Sequence, residues 1–96
     1  MPTIEVTDKA DRDLEKIHEH YESILGVDKA DDIVSRVIEA LRTLELFTGL
    51  GRPSQVPDVR ELVITSLPFI APYRVVQDEI QVLRVLHQRA ERTEDW

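Results

Sequence analysis

Two periods divide the pattern of apolar positions along this chain. Between Ala10 and Phe47 apolar residues recur in steps of three and four, the spacing that lines one face of a helix. Beyond Arg60 they fall into short runs bounded by turn residues, which read as strands. Ahead of both, Thr3 to Thr7 alternates through Ile4 and Val6, so a short first strand is expected. Thr7 or Asp8 then caps a helix whose apolar positions are Ala10, Leu14, Ile17, Tyr21 and Ile24 or Leu25. Gly26 should close it as a left-handed cap. A second helix should open at Asp28, with Asp31 and Asp32 near its positive dipole end. Its face is Ala30, Ile33, Val34, Val37, Leu41, Leu44 and Phe47, and Gly49 should stop it. So few residues join the helices that an antiparallel hairpin is expected.

A loop with two glycines and two prolines, Gly49 to Asp58, leads into strands over Arg60–Thr65, Phe69–Val76 and Ile80–His87. Pro72 falls inside the middle run and removes one ladder donor, which predicts an edge or a bulge beside it. On an unbroken last strand Ile80, Val82, Arg84 and Leu86 share one face, and Leu83, Val85 and His87 share the other. The expected fold is α+β: an N-terminal strand, an α-helical hairpin, then a three-stranded antiparallel sheet, as one domain over residues 1–96. Both sheet faces are rather apolar, so the face without helices should also be covered, by a partner or a twin subunit. Parity leaves open which face the helices take.

Charge sharpens this picture. The formal net charge is -7, which argues against simple electrostatic binding to nucleic acid. Its distribution is uneven: residues 1–48 hold twelve acids and six bases, and residues 49–96 hold seven acids and six bases. All six bases of the second half are arginine: Arg52, Arg60, Arg74, Arg84, Arg89 and Arg92. Arginine offers planar, bidentate contact to carboxylate or phosphate, so Arg60, Arg74 and Arg84 among the strand runs suggest a surface that handles anions. Cysteine is absent, which excludes disulfides and thiolate metal sites and fits a reducing cytoplasm. The start of the chain reads as no secretory signal, and no run approaches the length of a membrane span. His18 and His20 sit two apart on a helix and point in different directions, so no metal and no cofactor is expected.

Gly51-Arg52-Pro53, Arg60-Glu61-Leu62, Pro72-Tyr73-Arg74-Val75 and Leu83-Arg84-Val85-Leu86-His87, in this order behind a helical hairpin, resemble the RelE/ParE superfamily of bacterial toxins from toxin–antitoxin pairs. The resemblance runs from the first strand to His87. It implies a small cytoplasmic toxin of a plasmid-stabilisation type of module, arresting growth unless a cognate antitoxin wraps it. A homodimer or a heterotetramer with the antitoxin are the assemblies in view. ParE-like members inhibit DNA gyrase; RelE-like members cut messenger RNA on the ribosome.

Metal-independent RNA cleavage needs a base, an acid and cations for the phosphorane charge. By resemblance the catalytic candidates, if the chain is a nuclease, are Arg60, Arg74 and His87, the last matching a histidine general acid of YoeB-like relatives. Where those relatives place a glutamate base this chain has Ser54, and Gln88 stands where they have an aromatic. RelE-like enzymes use C-terminal basic residues and a tyrosine; here that region offers Arg89, Arg92 and Trp96. The cleavage set is incomplete in both versions, so the ParE-like, non-enzymatic reading leads. Partner-binding candidates are Arg60, Arg74, Arg84, Arg89 and Trp96. The bland alternatives are an ion pair of Glu61 with Arg60 or Arg74, and a His87 that only ends a strand. A third functional reading is an inactive, antitoxin-bound scaffold.

Overall fold

The computed structural model describes residues 2–89. The elements follow in the order β1 (Thr3–Val6), α1 (Asp8–Leu25), α2 (Val27–Arg42), a 3-10 turn (Thr43–Glu45), β2 (Arg52–Pro53), β3 (Arg60–Val63), β4 (Phe69–Val76), β5 (Glu79–Val82) and β6 (Leu86–His87).

Thr7 starts α1. Its hydroxyl accepts from the Ala10 N–H at 3.3 Å and lies 2.9 Å from the Val82 carbonyl, to which it can donate. One side chain thus caps the helix and ties its start to β5. Asp8 and Asp11 occupy the first turn, where carboxylates suit the helix dipole. Gly26 alone joins the helices, at φ 91° and ψ 167°. The expected positive φ is present, but ψ is extended and not helical, a region essentially reserved for glycine. The second helix therefore begins at Val27, one residue before the expected Asp28. It also ends sooner than Gly49. After Arg42 the chain tightens into the 3-10 turn, with the Thr43 hydroxyl donating to the Ala40 carbonyl at 2.6 Å. The helical period stops there, so Leu44 is buried while Phe47 is left 64% exposed. At the hairpin tip Ile24 and Leu25 are exposed as well, because the partner helix begins too close to the turn to cover them.

The strands form one sheet in the order β1-β5-β4-β3-β2, with β6 also paired to β4. β1 runs parallel to β5, and β3, β4 and β5 are antiparallel neighbours. The N-terminal strand thus extends the expected antiparallel three into a larger sheet. Phe69, Ala71 and Tyr73 of β4, Leu62 of β3 and Ile80 and Val82 of β5 form one core with Ala10, Leu14, Val37, Leu41 and Leu44. The helices therefore cover the face that carries odd positions on β4 and even positions on β3 and β5.

The predicted last strand over 80–87 is broken. Val82 pairs with Tyr73 and Leu86 pairs with Ile70, so Leu83, Arg84 and Val85 stand opposite only Ala71 and Pro72. One extra residue makes a β-bulge and reverses the parity beyond it. Val85 consequently joins Ile80 and Val82 in the core, against the face expected for an unbroken strand. The bulge lies beside Pro72, where an edge or a bulge was expected. The Pro72 carbonyl accepts from the Leu83 N–H at 2.8 Å, so the N–H that proline lacks would have pointed at the bulge.

Candidate functional site

Arg60 is paired with Tyr73, which puts it on the helix-covered face, at a rim where it is exposed. Its Nη1 donates to the Gly51 carbonyl at 2.8 Å. Arg74 follows Tyr73 and points to the opposite face. Its Nε donates to Gln81 Oε1 at 2.7 Å, and Gln81 Nε2 donates to Glu79 Oε1 at 2.8 Å. Arg84 lies in the bulge. Its Nε and Nη2 donate to the two oxygens of Asp13 at 2.6 and 2.9 Å. The Val85 N–H adds a third bond to that carboxylate at 3.0 Å. Asp13 is only 8% exposed, so this is a strap between α1 and the bulge. The three arginines do not form one cationic surface, contrary to the expectation from their strand positions. The register that would have aligned them is broken by the bulge, and Arg60 and Arg74 have opposite parity across their pair.

His87 pairs with Phe69, its ring 6.1 Å from the phenyl ring, and its Nδ1 accepts from the Arg89 N–H at 3.1 Å. Phe69 and Tyr73 are four residues apart on β4, so His87 and Arg60 stand about 13 Å apart along the strand. Arg60 and Arg74 cluster at one end of β4 and His87 occupies the other. Ser54 shapes its own loop: its hydroxyl lies 2.7 Å from the Val59 carbonyl and accepts from the Val56 N–H at 3.1 Å. Glu61 accepts from Arg52 Nε at 3.2 Å, a pairing across β2 and β3. Arg89 is exposed; Trp96 and Arg92 lie outside the described residues.

Where Arg60 and Arg74 meet the loop of residues 53–59, the surface opens into a groove of about 790 Å³, its far wall formed by Val75 and Val76. Tyr73 forms its floor and fixes its lip. The Tyr73 hydroxyl accepts from the Gly51 N–H at 2.8 Å and donates to the Thr48 carbonyl at 2.7 Å. A Cβ on Gly51 would lie 2.6 Å from Tyr73 Cε1, so only glycine admits this contact. The signal for this pair in the sequence is a tyrosine inside an apolar strand, whose hydroxyl needs a partner. Among the described residues no group of acidic or histidine side chains could hold a metal ion. The groove is lined by guanidinium groups and apolar side chains.

The described residues thus form a two-helix layer on one face of a mainly antiparallel sheet, with an arginine-flanked groove at one end of β4. The model of the family described as the ParE toxin of type II toxin–antitoxin system, parDE, matches residues 4–92, and the chain belongs to that family. A solved structure titled "Chromosomal ParDE TA system from P. aeruginosa" is 40% identical, with a TM-score of 0.86 over 91% of this chain and 96% of that one. The Sinorhizobium fredii protein named "Putative toxin Y4kP" is 37% identical over 60 residues, a stretch spanning 62% of each protein.

Proposed function

We propose that this chain is the growth-arresting component of a toxin–antitoxin module, silenced by a cognate antitoxin, and that it acts by binding a protein target such as DNA gyrase. The observation that carries the non-nuclease choice is the separation of His87 along β4 from Arg60 by about 13 Å and from Arg74 by about 17 Å. A phosphate and its attacking hydroxyl span far less, which weighs against an acid at His87 serving a phosphorane held by those arginines. Ser54, the residue standing in for a base, is bonded into its loop. Family membership over residues 4–92 supports the toxin reading, and the ParDE title of the similar structure supports an antitoxin as its partner.

Inducing the chain alone in bacteria tests this. Growth should stop, DNA synthesis should fall before protein synthesis, and purified chain should block supercoiling by gyrase. Early translational arrest with cut messages would instead identify a ribosome-dependent nuclease. Harmless accumulation of folded protein would leave only an antitoxin-bound scaffold.

A further inference from the structure

The sheet order ends at β1. The Thr3 N–H donates to the Asp78 carbonyl at 2.9 Å, and the Thr7 N–H donates to the Val82 carbonyl at 3.1 Å. In a ladder one residue turns its N–H and C=O to one neighbour, and the next residue turns them to the other. Odd positions of β1 therefore address β5, and the N–H and C=O of Ile4 and Val6 point out of the sheet. No strand lies on that side among the described residues. The Ile4 and Val6 side chains pack against the core, so Thr3 and Glu5 lie on the helix-free face, where both are exposed. Beside this edge Ile4, Val6, Ile38, Leu41, Arg42 and Glu45 line a groove of about 440 Å³.

We infer that the β1 edge pairs with the β1 edge of a second copy of this chain, antiparallel, across a two-fold axis at Ile4. The inference rests on the geometry and charge of this edge and not on the toxin reading. Sheets blunt a free edge with proline and charge. Pro2 and Glu5 do so here, and together they leave one register open. A pair centred on Glu5 sets two carboxylates directly opposite each other, which is unfavourable. A shift by one residue sets outward groups against groups already bonded to β5. A pair centred on Ile4 lets the two Ile4 residues exchange both bonds. Each Val6 N–H then meets the second copy's Pro2 carbonyl, the backbone group that proline keeps. Thr3 faces the second copy's Glu5 as a close pair without ladder bonds. A two-fold contact also needs a patch complementary to itself. Ile38, Arg42 and Glu45 follow at steps of four and three, so one strip beside the edge carries an apolar group and both charges. Each copy has a net charge of -7 and the shared strip is short, so the dimer is a weak one, with a Kd of about 1–100 μM.

The test uses the full chain, freed of antitoxin. Sedimentation across that concentration range should show monomer passing to dimer, and the Ile4 and Val6 amides should exchange hydrogen more slowly as concentration rises. Thr3 and Glu5 are exposed, so variants at these positions keep the fold. Thr3→Lys sets a cation opposite each Glu5 and should tighten the dimer about threefold to tenfold. Thr3→Glu should loosen it by a similar factor, and adding Glu5→Lys to Thr3→Glu should restore it. A chain that stays monomeric throughout the range overturns the inference. So does a dimer whose affinity ignores Thr3 and Glu5, since it then uses another surface. Protection of the Ile4 and Val6 amides that appears only with antitoxin present also overturns it and gives the edge to that partner.

Discussion

Asp13 and Arg84 show how much one residue pair can decide. A buried carboxylate held by a guanidinium and a backbone N–H fixes both the start of α1 and the bulge. Arg84→Ala leaves that carboxylate with the Val85 N–H alone and should cost about 3 kcal/mol, the usual penalty for stranding a buried charge. Thermal or urea unfolding measures it, and an Asp13→Leu, Arg84→Met double variant should recover most of the loss. If the double variant is as unstable as the single one, the strap is not the source. Tyr73→Phe is a second test at this scale. It removes the hydroxyl shared by Gly51 and Thr48 and should cost about 1–3 kcal/mol, with faster hydrogen exchange at Gly51. Arginine was legible as the informative residue type, but the role of each arginine was not. Arg84 reads as surface on an unbroken strand and is a strap on a bulged one.

At the scale of elements, α1 is bounded by signals visible in the chain, Thr7 at its start and Gly26 at its end. Thr7→Ala should destabilise the fold by about 1 kcal/mol. The loss should include the tie to β5 and not only helix fraying, so exchange at Ala10 and in β5 should rise together. Gly26→Ala forces a side chain into a glycine-only conformation and should cost about 1–3 kcal/mol, read from the unfolding midpoint. A variant as stable as wild type would mean that the joint relaxes easily into another turn. The helical hairpin and the β4 strand were written in local spacing, where Pro72 marked only an edge or a bulge. The early end of α2 was not, because Leu44 and Phe47 keep the helical period in sequence while the chain leaves the helix axis between them.

For the whole molecule, charge sets the terms of association. The surplus of acid lies in the first half of the chain, on β1 and the helices, away from the groove at the end of β4. An acidic antitoxin would gain little long-range attraction from a chain of net charge -7, so its affinity should come from apolar burial and the local guanidinium groups. Raising salt from about 0.1 to 0.5 M, across which the screening length shortens well below 10 Å, should change the dissociation constant by less than about tenfold. A steeper dependence would mean that global charge and not the groove drives docking. No helix among the described residues is long and apolar enough to cross a membrane.

The chain's spacing alone determined the elements, their order and the amphipathic faces of the helices, because each depends on neighbours within a few residues. The order and spacing of its arginine, proline and histidine motifs were enough to suggest the family. Tertiary structure decided the rest. It chose the helix-covered face, slid the last strand by one residue, spent Arg84 on Asp13, parted His87 from Arg60 and Arg74, and left β1 with an open edge. Those outcomes turn on register between distant segments, and a strand's faces exchange with every single-residue shift, which local periodicity does not encode.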